Sequence, residues 1–242
     1  MSERELVMAM IGCLCIHGFT GAPYEVQPLA DYLSERTSWK IVVPTLPGHG
    51  EPPALKGVTY KQWLDCAEKE MQELATECDT VYVIGFSMGG LIAVYLAKKY
   101  SVEKLILLSA AAKYIYVGQL LRDLKDIAGD WKRGRLRENE LFARYKRKLF
   151  STPLSSVFQF RRVAASVKPL FATIQIPTLI VQGLADGIVP PKSAEYIYQH
   201  IASKEKELYY VPDAKHHVCL TGDTEGLFEK IFTFLTESSK VN

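Results

Sequence analysis

The sequence predicts an α/β fold built on a mostly parallel sheet, and two observations support this class. Short apolar runs bounded by glycine or proline alternate with longer segments of helical period along the 242-residue chain. Most of the runs are apolar throughout, which is typical of parallel strands covered on both faces. We therefore expect a sheet of about six or seven strands with helices on both faces. The length suits one domain, and 48% hydrophobic residues suffice for its core.

The individual elements follow from these patterns. Six runs are the predicted strands: Val7–Ile16, Trp39–Val43, Thr80–Phe86, Lys104–Ser109, Pro177–Gly183 and Lys206–Val211. Five segments of helical period lie between or after them: Pro23–Arg36, Thr59–Thr76, Met88–Tyr100, Pro191–Ala202 and Thr224–Thr236. Two of these helices open with proline, which is favoured in the first helical turn.

One stretch breaks the alternation and is predicted to be a helical insertion. No run between Ser109 and Ile176 has the pattern of a strand, and helical patterns cover Val117–Ile127 and Leu136–Phe150. Because the stretch lies between two sheet strands, we expect a small helical cap above the carboxyl edge of the sheet. The predicted organisation is one domain over residues 1–242, with the cap at about residues 113–168.

Composition narrows the classes of partner. The 29 basic and 27 acidic side chains nearly balance, so nothing favours a nucleic-acid partner. The basic run at residues 144–148 is interpreted as the solvated face of a cap helix.

Cysteine usage and the N-terminus indicate the compartment. The five cysteines are an odd number, are scattered and form no Cys-x-x-Cys pair, which favours a reducing compartment and gives no zinc or thioredoxin motif. The apolar run Leu6–Ile16 follows Glu3, Arg4 and Glu5 where a signal peptide would have a basic region, and it is too short to span a bilayer. We expect a cytoplasmic protein without stable membrane association.

The chemistry is indicated first by Gly85-Phe86-Ser87-Met88-Gly89. This pentapeptide lies between a predicted strand and a predicted apolar helix, which is the context of a nucleophile elbow. The glycines relieve backbone crowding around a serine held in an unfavourable conformation. Ser87 is therefore the candidate nucleophile, at a helix N-terminus that favours developing negative charge.

A serine nucleophile needs a base, and the base needs an orienting carboxylate. Asp186 follows the predicted strand Pro177–Gly183, so it lies at the edge of the sheet where ligands bind in open α/β folds. After the last strand come His216 and His217, and the spacing alone leaves either one as the base. The chain order Ser, Asp, His is the order expected for an elbow of this kind.

A tetrahedral intermediate also needs two donors for its oxyanion. The backbone N–H of Met88, directly after the nucleophile, is one candidate. The turn His17-Gly18-Phe19-Thr20-Gly21 follows the first predicted strand, and the N–H of Phe19 is the other candidate.

Together these segments and Pro47-Gly48-His49-Gly50 make the chain resemble bacterial carboxylesterases and monoacylglycerol lipases of the α/β-hydrolase superfamily. In such relatives the catalytic histidine stands directly before a valine, which implies His217, since Val218 follows it. An alignment on Pro212 would imply His216 instead. The resemblance also implies Phe19 and Met88 as oxyanion donors, a short helical cap, and neither a metal nor an organic cofactor.

The expected function is hydrolysis of short- to medium-chain acyl esters through an acyl-enzyme, with Ser87, His217 and Asp186 as the triad. Monoacylglycerol lipase and thioesterase activity use the same chemistry and are the alternatives. A non-catalytic ligand-binding protein of the same fold is a more distant one. We expect a monomer or homodimer, with the cap aromatics Tyr114, Tyr116, Phe142 and Phe150 lining the acyl pocket.

Overall fold

The computed structural model describes residues 9–113 and 152–237. Within these ranges, all strand pairs are parallel and form one sheet in the order β2-β1-β3-β4-β5-β6. The strands are β1 (Ile11–Ile16), β2 (Lys40–Val42), β3 (Thr80–Phe86), β4 (Lys104–Leu108), β5 (Thr178–Gly183) and β6 (Lys206–Val211). The predicted fold class is therefore confirmed.

Five of the described α-helices follow predicted segments, and the helix Leu154–Val167, within the predicted insertion, was not predicted as a separate element. The described α-helices are α1 (Gln27–Arg36), α2 (Tyr60–Glu77), α3 (Met88–Lys99), α4 (Leu154–Val167), α5 (Lys192–His200) and α6 (Thr224–Thr236). The segment expected as one helix over Pro23–Arg36 begins instead with a separate 3₁₀ turn, Pro23–Glu25, before α1. The predicted cap helices Val117–Ile127 and Leu136–Phe150, and the four cap aromatics, lie outside the described residues.

Two hydrophobic cores lie on opposite faces of the sheet, as the uninterrupted apolar strands require. Successive side chains of β1 divide between them: Leu14 and Ile16 pack in the core formed with α2 and α3, and Cys13 and Cys15 in the core formed with α1 and α6. Burial on both faces explains why these strands show no polar alternation.

The helix α4 is fixed against the start of α2 and the loop before it by two polar contacts. The Ser156 hydroxyl donates to the carbonyl oxygen of Leu55 at 3.1 Å, and the Gln159 side-chain oxygen accepts from the N–H of Tyr60 at 3.2 Å. These bonds dock the described part of the predicted insertion against the start of α2. They hold the α4 side chain Phe160 in the hydrophobic core.

The strand order changes direction at β1. The chain passes from β1 to β2 on one side and then returns to β3 on the other side of β1. Ligands bind at such a switch point, beyond the carboxyl ends of the strands. Both Ser87, directly after β3, and the turn at residues 17–21, directly after β1, lie there. In the described part of the chain, no helix has the length and apolar character needed to cross a membrane.

Candidate active site

Ser87 occupies a strained turn between β3 and α3. Its φ of 53° and ψ of −111° lie outside the regions that L-residues favour, so the surrounding structure must hold it there. The Ser87 N–H donates to the carbonyl oxygen of Leu108 on β4 at 2.9 Å. A Cβ at Gly85 would overlap the backbone of Gly89 and Gly90, so only glycine fits before the serine. The predicted elbow geometry is present.

His216 joins Ser87 to Asp186. Its Nε2 lies 3.1 Å from the Ser87 Oγ, and its Nδ1 lies 2.8 Å from Asp186 Oδ2. The histidine is buried, and its ring lies against Phe86, with ring centroids 4.9 Å apart. A carboxylate on Nδ1 fixes the tautomer that leaves Nε2 free to accept the serine proton.

His217 does not contact Ser87, so the preference for His217 over its neighbour is wrong on geometry. Its Nε2 instead lies 3.1 Å from Glu25 Oε1. The two adjacent rings lie at 74° to each other, and their contacts with Ser87 and Glu25 show that the first faces the elbow and the second faces the turn after β1. The valine after His217 does not determine which histidine faces Ser87, because the direction of each ring depends on the backbone conformation of the loop after β6.

Asp186 is held by bonds to both carboxylate oxygens. Oδ1 accepts the N–H groups of Ile188 and Val189 at 2.7 and 2.9 Å. Oδ2 accepts from His216 and from the Gln182 amide at 3.1 Å. Burial alone would raise the pKa of Asp186, but the bonds and charge of His216 and the two N–H groups outweigh it and lower the pKa. The carboxylate therefore stays ionised at neutral pH, as an orienting group must.

Gln182 was missed by sequence reasoning. It lies within β5, where its polar side chain interrupts an apolar run, and it is fully buried. Its amide nitrogen donates to Asp186 and to the carbonyl oxygen of Val189, both at 3.1 Å. A buried polar residue near the end of a predicted core strand could have indicated this contact.

The two predicted oxyanion donors lie on adjoining segments. Met88 is the first residue of α3, so its N–H has no acceptor within the helix. The start of α3 packs directly on the end of β1, because a Cβ at Gly89 would overlap the carbonyl oxygens of Ile16 and His17. The turn that carries Phe19 begins directly after the end of β1. The geometry therefore brings the segments of both predicted donors to the elbow.

His17 shapes this turn and takes no part beside Ser87. Its Nδ1 lies 2.9 Å from the carbonyl oxygen of Gly18, and its Nε2 accepts the N–H of Leu46 at 3.1 Å. The ring is therefore the tautomer with a proton on Nδ1, and burial lowers its pKa. This neutral imidazole ties the turn at residues 17–21 to the loop at residues 44–50.

Aromatic side chains pack around Phe19 in the turn at residues 17–21. The Phe19 ring stacks on Phe160 of α4, with centroids 5.3 Å apart and planes at 11°, and meets Trp63 edge-on at 5.8 Å. His49 lies beside both Phe19 and Trp63. The sequence analysis singled out neither Phe160 nor Trp63, so their contact with the turn was not predicted.

His49 predicts a pH dependence of stability. Its Nδ1 lies 3.2 Å from the carbonyl oxygen of Pro47, and its buried Nε2 has no partner among the described residues. Burial is the main cause and repulsion from His17, when that ring is protonated, is the second; together they lower the pKa of His49 from 6.5 to about 4. Between these two pKa values the unfolded chain has a protonated His49 and the native state has a neutral one. The free energy of unfolding therefore falls as the pH drops from 6.5 towards 4.

We expect His49 to account for about 3 kcal/mol of the unfolding free energy lost across this window. Urea denaturation at intervals from pH 7.5 to pH 4 measures the slope, and His49→Gln should reduce it to the part that other buried groups such as His17 contribute. The exposed His200 provides the control, because His200→Gln should keep the wild-type slope. An unchanged slope in His49→Gln would contradict the assignment.

The parallel sheet, the elbow and the Ser-His-Asp contacts define an α/β hydrolase. The match to the model of the alpha/beta hydrolase family covers residues 13–229, so the chain belongs to that family.

Similar proteins carry esterase and lipase names. A thermostable monoacylglycerol lipase of a Bacillus sp. is 30% identical over 94% of this chain and 91% of its own length. A carboxylesterase of Bacillus subtilis is 23% identical over 92% of this chain and 91% of its own. A metagenome-derived lipolytic enzyme of known structure superposes with a TM-score of 0.76 at 23% identity, covering 94% of each chain. The resemblance seen in the sequence and the expected enzyme class, a hydrolase of the esterase and lipase group, are confirmed.

Proposed function

We propose that this protein is a carboxylic ester hydrolase that cleaves short- to medium-chain acyl esters through an acyl-enzyme. The observation that carries the proposal is the continuous contact from Ser87 Oγ through His216 to Asp186, at 3.1 and 2.8 Å. The names of the relatives support the ester as the bond that is cleaved.

In the acylation step Ser87 attacks the ester carbonyl while His216 Nε2 takes the hydroxyl proton. Asp186 holds the imidazole and stabilises the imidazolium that forms. The N–H groups of Phe19 and Met88 bind the oxyanion of the tetrahedral intermediate. His216 then gives its proton to the leaving alcohol, and the acyl group remains on Ser87.

Deacylation repeats these roles with water. His216 takes a proton from a water molecule, whose oxygen attacks the acyl carbonyl, and the same two N–H groups bind the second oxyanion. Collapse of the intermediate returns the proton to Ser87 and releases the carboxylic acid. Both half-reactions use His216 as the base and the same two N–H groups for the oxyanion, so no further catalytic group is needed.

We also propose that the ring of Phe19, which stacks on the buried Phe160, bounds the acyl pocket on one side. We also propose one hydrolase domain over residues 1–242 with a helical cap at about residues 113–168. The pairing of β4 with β5 supports it, because the sheet continues across the insertion without a break.

All five cysteines are free, which supports a cytoplasmic location.

A monoacylglycerol lipase is the second candidate, favoured by the relative that is 30% identical and bears that name. A thioesterase would use the same groups on a different leaving atom. A non-catalytic binding protein is the contrary possibility, and the intact contacts of Ser87 argue against it.

The proposal is tested with matched substrates. Turnover is measured on p-nitrophenyl esters from C2 to C16, on the corresponding acyl thioesters, and on monoacylglycerols of the same chain lengths. We expect kcat/KM to be highest on esters of short to medium chain length, with a burst of product from acyl-enzyme accumulation.

Higher kcat/KM on monoacylglycerols or thioesters would identify the alternative substrate and keep the mechanism. A fluorophosphonate probe with peptide mass mapping provides the second measurement. Labelling should occur at Ser87 and disappear in Ser87→Ala. A folded wild type that neither turns over nor labels would overturn the proposed enzyme.

A further inference from the structure

A buried carboxylate lies beside the proposed active site and takes no part in the proposed mechanism. Glu25, in the 3₁₀ turn after the oxyanion turn, is only 4% exposed. Its Oε2 accepts the N–H of Gly18 at 2.8 Å, and its Oε1 lies 3.1 Å from His217 Nε2. A buried carboxylate is costly unless it is fully bonded, so both partners are needed.

The space for this carboxylate is made by glycine. A Cβ at Gly21 would overlap the carboxyl group of Glu25, so the last glycine of the turn at residues 17–21 admits that side chain. The bond to the Gly18 N–H fixes the peptide between His17 and Gly18, which directly precedes the peptide that carries the N–H of Phe19, the proposed oxyanion donor.

The other end of the contact fixes the loop of the proposed base. His217 is the chain neighbour of His216, and its ring lies against Phe86 with centroids 5.4 Å apart. Its carbonyl oxygen accepts the Leu220 N–H at 2.9 Å and the Thr221 hydroxyl at 3.0 Å. A ring held by Glu25 therefore anchors the turn that sets the position of the neighbouring imidazole.

We infer that Glu25 and His217 are a positioning pair that holds the oxyanion turn and the catalytic-histidine loop in register with each other. The inference rests on the proposed function. The pair touches neither the ester nor the reacting atoms, and its effect passes through Phe19 and His216. Small displacements of such groups lower the rate of the chemical step and leave substrate binding largely intact.

The pair predicts a loss of kcat at nearly constant KM. His217→Leu removes the contact with Glu25 and should lower kcat on the best p-nitrophenyl ester by on the order of 10- to 100-fold, with KM within about twofold. His217→Gln keeps a side-chain donor for the carboxylate and should recover most of that loss. His200→Leu, an exposed histidine on α5, is the matched control and should keep the wild-type kcat.

A double-mutant cycle tests the contact itself. Glu25→Gln should also lower kcat, and Glu25→Gln combined with His217→Leu should lose no more than the worse single variant. Binding of a trifluoromethyl ketone, which forms a tetrahedral oxyanion adduct on the serine, should weaken in parallel with kcat/KM. A purely structural pair would lower the melting temperature without this parallel.

The outcomes separate the two proposals. Wild-type turnover and Ser87 labelling, with His217→Leu and His217→Gln both at wild-type kcat, would overturn the positioning pair alone. Additive losses in the cycle would overturn it as well. A folded wild type without labelling would overturn the proposed function and the pair together. Loss in His217→Leu, recovery in His217→Gln and non-additivity would support the pair.

Discussion

His216→Ala should lower kcat/KM on p-nitrophenyl esters by on the order of 10⁴- to 10⁶-fold, whereas His217→Ala should lose at most about 100-fold. The difference arises because only His216 lies within proton-transfer distance of Ser87, at 3.1 Å. Without that ring the hydroxyl has no base, and only oxyanion stabilisation and binding remain.

Fluorophosphonate labelling followed by peptide mass mapping distinguishes the two histidines. Ser87 should label slowly or not at all in His216→Ala and should still label in His217→Ala. Circular dichroism spectra of both variants must match the wild type, so that a loss reflects chemistry. Labelling that survives in His216→Ala and vanishes in His217→Ala would show that the loop adopts the opposite arrangement in solution.

The two histidines also show where sequence reasoning reaches its limit. The elbow is local, since strand, serine, glycines and helix are consecutive in the chain, and its geometry was predicted. The loop after β6 is different, because its direction depends on distant contacts. The N–H of Ala185 donates to the carbonyl oxygen of Ala214, and Gly183 leaves room for that backbone. Nothing in the order His216-His217-Val218 contains this information.

The sheet was predictable for the opposite reason. The four central strands β1, β3, β4 and β5 are buried on both faces, so their composition alone distinguishes them from the amphipathic helices. Four of the six strands end at the predicted carboxyl-terminal residue, including β3 before Ser87 and β5 before Asp186. The ends of the strands place the site, and glycine or an abrupt change to polar residues marks them in the sequence.

The role of Glu25 could not be predicted from the sequence either, because it also depends on contacts between distant segments. Within a segment of helical period, an acidic residue near the first turn has an ordinary role at a helix N-terminus. The structure places it in a separate 3₁₀ turn with its carboxylate directed back to Gly18. Only the fold shows that the loop of His217, 192 positions later, lies beside it.

Gly89→Ala should lower the unfolding free energy by about 3–5 kcal/mol, since the new methyl group would overlap neighbouring backbone atoms. The atoms that it would overlap are the carbonyl oxygens of Ile16 and His17, and both belong to backbone at the end of β1. Backbone held in a central strand cannot move aside as a flexible side chain can. Thermal denaturation should show a midpoint lower by on the order of 10 °C.

Gly187→Ala is the matched control, because a Cβ there meets nothing within 4 Å. It should change the unfolding free energy by less than about 1 kcal/mol. Equal stability of the two variants would show that α3 does not pack on β1 as closely as described. Any folded Gly89→Ala protein should also lose kcat. Relief of the overlap moves the start of α3 away from the oxyanion turn, which separates the N–H groups of Met88 and Phe19.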